Sequence, residues 1–231
     1  FSGADLGPHG TRSFGDAEVM LYGEASGDSM GHSVDWAGDV DGDGIADIVT
    51  GAHNHSTAGT SAGRTYLMLS GQLARGEDLT FPDAADYMWD GENEFDESSK
   101  RNVYAGDIDV DGLADIATVS LLNQDNGSGA SETGERRGSG KFYLQLSGDI
   151  NATAPGTIMN VGDAALAWLG EEGGDAMGYG VDTMGDFDGD GGSEWFDLPY
   201  MPIEEPSGPY PDCIWHESDE RWWCGEDYDE D

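Results

Sequence analysis

The chain has 231 residues, enough for one large domain or two small ones around a real core. Its 48 acidic residues against nine basic ones give a formal charge of −39, which repels nucleic acid and anionic membranes and makes cations the natural partners. Such a surface suits a salty or calcium-rich medium outside a cell, where counterions screen self-repulsion, and no run of 18 apolar residues is present to span a bilayer.

Residues 17–22, "AEVMLY", read as a short strand closed by Gly23. "GDSMG", Gly27 to Gly31, fits the Gly-x-Ser-x-Gly pattern of a nucleophile elbow. The chain supplies its own control: the corresponding stretches are "FDESS" from Phe95 and "GDAMG" from Gly174, where Ala176 replaces the serine. No helical pattern follows any copy, so Ser29 is not expected to be catalytic. "HSVDWAG" from His32 then reads as a strand entering "GDVDGDGIADIVTG", with Asp39, Asp41 and Asp43 on alternate positions, and "DIVTGA" from Asp47 reads as the strand leaving it.

This acidic stretch recurs as "GDIDVDGLADIATV" from Gly106 and "GDFDGDGGSEWFDL" from Gly185, so its first aspartates fall at Asp39, Asp107 and Asp186. Sixteen residues before each stands a glycine, Gly23, Gly91 or Gly170. Strands are likewise expected from Arg101, Asp115 and Tyr179. After the first two loops come "GRTYLMLSG" and "GKFYLQLSG", glycine-bounded and rich in aromatic and branched residues, which read as further strands. No window holds a helical period over three turns. Each unit therefore contains about four short strands without a helical crossover, the pattern of propeller blades.

The order of these segments resembles the FG-GAP repeat of the integrin α-subunit propeller and its bacterial and archaeal relatives. Met30-Gly31 and Met177-Gly178 stand where that family has Phe-Gly, and Gly51-Ala52-His53 stands for Gly-Ala-Pro. The second repeat departs at both places, with Ser98-Ser99 and Ser120-Leu121, and carries a longer polar loop from Asn123 to Gly138. The resemblance implies an all-β fold of four-stranded antiparallel β-propeller blades. Residues 1–191 would form the blades: the outer strand of a preceding one, two full ones and the start of a third. Because closed propellers have about four to eight blades, three arrangements fit: a fragment of a longer protein, which we favour, a partial ring that assembles, or an open stack.

Alternating aspartates place short carboxylate arms inside a tight turn, and calcium takes six to eight oxygens from such curls. An EF-hand would require a glutamate at the twelfth position, where this chain has Thr50, Thr118 and Asp197. In the propeller family, positions one, three, five and nine give side chains and position seven gives its carbonyl. Carried over, the ligands are Asp39, Asp41, Asp43, Ile45 and Asp47 in the first loop, and Asp107, Asp109, Asp111, Leu113 and Asp115 in the second. The third loop offers Asp186, Asp188, Asp190, Gly192 and Glu194, a departure at its last two ligands. Calcium is the expected cofactor. The bland alternative is a set of acidic turns that cap and solvate the surface.

His53 and His55 are expected to be surface histidines of a turn, and acidic pairs carry little meaning among 48 acids. Asn54, Asn126 and Asn151 each begin an Asn-x-Ser/Thr pattern, which matters only on a glycosylating route. Residues 192–231 change character: five of eight prolines, four of seven tryptophans and both cysteines lie there. Pro199, Pro202, Pro206, Pro209 and Pro211 oppose a continuing central strand. The segment is compatible with a cap anchored by Trp215, Trp222 and Trp223, with a disordered acidic tail, or with a stretch altered in reading frame. Cys213 and Cys224 are either one disulfide or two free thiols.

These readings lead to an extracellular or cell-surface (secreted) calcium-binding scaffold for adhesion or for protein or ligand binding, not an enzyme. Its expected partners are calcium ions and an extracellular protein or glycan, with no nucleic acid and no membrane insertion. The alternatives are the non-catalytic propeller part of a secreted hydrolase or lyase and a structural surface-layer or matrix component.

Overall fold

The computed structural model describes residues 17, 19–72, 78–125, 138–198, 213–216 and 221–224. The chain divides into two compact units, Phe1–Tyr200 and Met201–Asp231.

Among the described residues of the larger unit, regular structure is mostly strand, with almost no helix. The first blade runs outward from β2 (Met30–Gly38) through β3 (Asp47–Ala52) and β4 (Arg64–Met68) to β6 (Tyr87–Asp90), every step antiparallel. The second repeats it with β7 (Ser98–Gly106), β8 (Asp115–Ser120), β9 (Lys141–Gln145) and β11 (Leu166–Leu169). The third sheet opens with β12 (Gly180–Gly185) and β13 (Glu194–Leu198). The expected strands from His32, Asp47, Arg101 and Asp115 lie in these elements, the one expected from Tyr179 begins at Gly180, and β4 and β9 form the middle of the two glycine-bounded segments. β13 differs from expectation, because it carries the blade pattern to Leu198 where the sequence suggests an end at Gly191.

Two parallel ribbons are absent from the sequence reading. β5 (Leu79–Thr80) pairs with β1 (Leu21–Tyr22), and β10 (Ile158–Asn160) pairs with β6. They are repeat-equivalent: in each case the chain leaving one blade runs beside the outermost strand before it. A one-turn helix α1 (Ser147–Asn151) follows β9, too short to show as a period in sequence.

Alternation sorts each blade's residues onto two faces. Val49, Leu67 and Tyr87, opposite one another in the first blade, pack against Ile116, Tyr143 and Tyr104 of the second, with Ile150 of α1. Ala117, Leu144, Val119 and Phe142 face the other way, towards Val181 of β12. The outer half of the first blade's remaining face, Tyr66, Met68 and Met88, is covered by Phe81. Cores therefore lie between sheets, as blade stacking requires.

A buried ion cluster ties the first blade to the turn before β2. The Arg64 guanidinium donates from Nη1 to Glu24 Oε1 at 3.1 Å and from Nε to Asp90 Oδ1 at 2.5 Å, and Tyr66 Oη donates to Glu24 Oε1 at 2.8 Å. Burial alone would raise the Glu24 carboxyl, but the Tyr66 hydroxyl and the Arg64 charge outweigh it and hold it below the ordinary value of 4.5. A carboxylate depressed in the fold contributes stability above its unfolded pKa, and that contribution disappears as pH falls through the folded one. Glu24→Gln is expected to cost about 1.5–3 kcal/mol at neutral pH and to flatten the acid limb of the stability curve below 4.5. Urea melts across pH check this, and an acid limb as steep as wild type would refute the assignment.

The smaller unit holds the hairpin of β14 (Cys213–His216) and β15 (Arg221–Cys224), in which Cys213 stands opposite Cys224. Directly opposed residues of an antiparallel pair have Cα atoms about 4.5–5.5 Å apart, inside the span a disulfide bridges. The side chains of Trp215, Trp222 and Trp223, and the five prolines, lie outside the described residues.

Candidate functional site: three acidic loops at the inner hairpins

Each acidic stretch forms the turn between the first and second strands of its blade. The three turns share one hydrogen-bonding pattern, which explains why aspartate alternates with small residues. The first aspartate accepts two backbone N–H groups across the curl: Gly42 and Gly44 on Asp39 at 2.8 and 2.9 Å, Asp111 and Gly112 on Asp107, Gly189 and Gly191 on Asp186. The third-position carboxylate accepts the N–H two residues on, as Asp41 does from Asp43, Asp109 from Asp111 and Asp188 from Asp190. The fifth does the same for the seventh, in Asp43 to Ile45, Asp111 to Leu113 and Asp190 to Gly192. These are successive Asx turns, which aim short carboxylates towards a common centre.

The ninth position closes the loop from inside. Asp47 accepts from Val40 N at 2.8 Å and Ser70 N at 2.9 Å, and Asp115 accepts from Ile108 N and Ser147 N, both at 2.8 Å. Glu194 takes the same place, receiving Phe187 N at 2.6 Å. Asp47 and Asp115 are fully buried. Burial pushes both carboxyls up; the paired N–H bonds oppose the rise, and nearby loop aspartates add to it. The longer arm of Glu194 thus preserves the contact on which the sequence cast doubt.

The tightest groupings are Asp39, Asp41 and Asp43; Asp107, Asp109 and Asp115; and Asp186, Asp188 and Glu194. In each, carboxylate oxygens lie within 4.8 Å of one another, close enough to share a metal ion. Asp47, Asp111 and Asp190 fall outside these groupings. Asp111 instead receives the Ser147 hydroxyl at 3.2 Å, and Asp43 lies where a Cβ on Gly71 would stand, 2.2 Å from Oδ2. Ile45, Leu113 and Gly192 occupy the turn between the fifth and ninth ligands, with Ile45 exposed at 52 %.

Ser70-Gly71 and Ser147-Gly148 were not expected at this site. Their signal in the sequence is the shared ending "LSG" of the two glycine-bounded strands. The serine N–H holds the ninth-position carboxylate, and Gly71 leaves room for the fifth.

The loops are also chained to one another. Ala114 N donates to the Asp39 carbonyl at 2.9 Å, and Ser193 N donates to the Asp107 carbonyl at 2.7 Å, so the eighth residue of one loop clasps the first of the loop before. Asn151 Nδ2 adds a bond to Val40 O at 2.8 Å. This clasp dictates the glycine before the first aspartate of the first two loops. Gly38 has φ +72°, and a Cβ there would stand 2.5 Å from Ala114 Cβ and 2.6 Å from Tyr104 Cε2. Gly38→Val is expected to cost about 2–5 kcal/mol, combining left-handed strain with overpacking. Gly44→Ala, at φ +85° with nothing within 4 Å of its Cβ, bears only the strain, about 1–2 kcal/mol. Equal losses for the two in thermal melts would rule out the clasp.

The remaining candidates resolve as structural. Ser29 has φ +60°, but so have its repeat-equivalents Glu97, at +50°, and Ala176, at +47°. The left-handed turn therefore belongs to the repeat, and the second copy keeps it despite its sequence departure. A strand follows Ser29, and its hydroxyl receives Asn54 Nδ2 at 2.9 Å. His53 and His55 are buried, contrary to the surface position expected. His53 packs edge-on against His32, and His55 Nε2 lies 3.4 Å from Glu24 Oε2. The arms of the ion cluster and the next blade fold over this turn, a non-local effect. The amide nitrogens of Asn54 and Asn151 are engaged as above; Asn126 lies outside the described residues.

Between β2, β7 and β12 opens a cleft of about 630 Å³ lined by His32, Asp35, Arg101, Asn102, Tyr179 and Asp182. The Arg101 guanidinium lies 5.2 Å from the Tyr179 ring centroid. Volume and mixed polarity suit a small ligand or a side chain of a partner.

Residues 30–68, which span β2, the first acidic loop, β3 and β4, match the family model of the FG-GAP repeat. A comparison with curated proteins finds no match.

Proposed function

We propose that this FG-GAP-containing chain is a calcium-dependent, non-catalytic binding scaffold of an extracellular or cell-surface protein, in which ions held by the acidic loops fix successive blades. FG-GAP repeats are propeller-type scaffolds, typically without catalytic activity, and occur in extracellular and cell-surface proteins. Among the described residues, no helix is long and apolar enough to cross a membrane.

The observation that carries the reading is the threefold recurrence of one carboxylate cradle, with oxygens within 4.8 Å. Three like charges so close repel one another, and burial of the ninth-position acid adds to the cost; a divalent cation relieves both. The donors are all oxygens on a curled backbone, the set that suits calcium. Asp39, Asp41, Asp43 and Asp47 would hold the first ion, with the Ile45 carbonyl. Asp107, Asp109, Asp111 and Asp115 would hold the second, with the Leu113 carbonyl. Asp186, Asp188, Asp190 and Glu194 would hold the third, with the Gly192 carbonyl. The ion supplies positive charge and nothing redox or hydrolytic. The chain's part is to join each loop to the next through the Ala114 and Ser193 clasps. Affinities of about 10⁻⁴ to 10⁻³ M, common in extracellular modules, suffice in a calcium-rich medium. The cleft between β2, β7 and β12 is the concave surface that would receive a protein or glycan partner.

Asp43→Ala tests the reading. Equilibrium dialysis or calorimetry is expected to find three bound calcium ions per chain in the wild type and one fewer in the variant. An unchanged stoichiometry in Asp43→Ala would contradict the site.

A further inference from the structure

A cavity of about 380 Å³ opens between the first two blades, bounded by β6, β10, the end of β9, α1 and the turn that leads to β11. Trp89, Ile150 and Met159 give it apolar walls, and the exposed acids Asp149 and Asp163 line it as well. Gln145 completes the lining from β9. That residue is 4 % exposed, yet both atoms of its amide are buried without a hydrogen-bond partner among the described residues. An amide carries donors and an acceptor, and a buried one left unpaired calls for a cause. The first repeat supplies the comparison. Gln145 stands in the register position of Met68, and Val161, which follows β10, in that of Phe81, which follows β5. Met68 and Phe81 share one buried cluster, where a ring fills the space and a thioether needs no partner. The second repeat has a smaller side chain in place of the ring and an amide in place of the thioether. Space and an unsatisfied hydrogen-bonding group thus arrive together, which is what a ligand pocket requires and packing does not.

We infer that this cavity binds a neutral sugar ring through two neighbouring hydroxyls held by the Gln145 amide. The amide turns about its terminal torsion, which is broad in glutamine. Oε1 then accepts from one hydroxyl while Nε2 donates to the next, a pairing that vicinal hydroxyls satisfy because each both donates and accepts. The Asp149 and Asp163 carboxylates accept protons from further hydroxyls, and Trp89, Ile150 and Met159 cover the ring's C–H face. The volume suits a ligand of one ring. Charge selects the class further, because two acids at the site on a chain of charge −39 turn away uronic acids and sulfated sugars. A peptide carboxamide would pair with Gln145 equally well, but it brings no hydroxyls for the two carboxylates. The site is separate from the acidic loops and from the cleft between β2, β7 and β12, so it stands or falls apart from both.

Heteronuclear NMR titration of the full chain, in calcium, with the methyl glycosides of glucose, galactose and mannose tests this. At least one of the three is expected to shift the Gln145 side-chain amide and the Trp89 indole signals saturably, with a Kd of about 1 mM or lower. Methyl glucuronide is expected to leave both signals in place. Gln145→Met, which restores the first repeat's residue, is expected to weaken binding at least about tenfold and to melt no lower than the wild type. Asp149→Ala alters an exposed position, so it is expected to keep the wild-type melting temperature and still bind more weakly. The absence of saturable binding by all three sugars would mean that the cavity holds only water and would overturn the inference. So would binding that both variants leave undiminished, equal affinity for glucuronide, or capture of an asparagine-bearing peptide in preference to every sugar.

Discussion

Removing calcium with a chelator is expected to lower the melting temperature by roughly 8–32 °C relative to protein in about 10 mM calcium. At affinities of about 10⁻⁴ to 10⁻³ M that concentration is about 10 to 100 times Kd, and each site then contributes about 1.4–2.7 kcal/mol. Three sites together contribute about 4–8 kcal/mol, and a domain of this size shifts by about 2–4 °C per kcal/mol. The physical source is local. Without a cation, each cradle crowds carboxylates within 4.8 Å of one another, and the clasps between loops join segments that repel. Differential scanning calorimetry with sodium chloride matched for ionic strength separates specific binding from screening. A melting temperature that moves equally with sodium would remove the basis for the proposed role.

The second large effect is expected at Arg64. Its side chain is 3 % exposed and bridges Glu24 and Asp90, whose side chains are 19 % and 15 % exposed. Arg64→Met keeps the apolar stem but leaves two acids partly buried without a counter-charge, a change that costs about 3–5 kcal/mol. The melting temperature should fall by about 6–20 °C. Combining it with Glu24→Gln should cost less than the sum of the two single changes, because one of the stranded charges is gone. Full additivity, or a loss below about 1 kcal/mol in Arg64→Met, would show that the cluster does not hold β4 and β6 to the preceding turn.

The blades were legible because their signals are local. Glycine-bounded runs of branched and aromatic residues, recurring in register with the acidic loops, mark β4 and β9 directly. The glycines at 38 and 106 mark the loops themselves. The second repeat loses its Phe-Gly and Gly-Ala-Pro landmarks, yet Phe95, Glu97 and Ser99 adopt the left-handed backbone of Gly27, Ser29 and Gly31. Here stacked neighbours impose a conformation that composition alone argues against.

What escaped the sequence depends on distant partners. The β1–β5 and β6–β10 ribbons join segments too short to carry an alternation. The burial of His53 and His55 follows from Glu24 and the next blade, and nothing within "GAHNHS" distinguishes it from a surface turn. The ninth-position acids could be named as candidate ligands by spacing. That Asp47 and Asp115 are also buried acceptors for the serines of "LSG" required the fold. The chaining of loops through Ala114 and Ser193 explains in retrospect why a small residue occupies the eighth position.

The central claim is that the acidic loops hold calcium. Anomalous diffraction from crystals grown in calcium tests it most directly. A peak is expected within each of the three carboxylate groupings, ringed by the first, third, fifth and ninth side chains and the seventh carbonyl. Loops free of any peak, with carboxylates turned away from one another in abundant calcium, would contradict it.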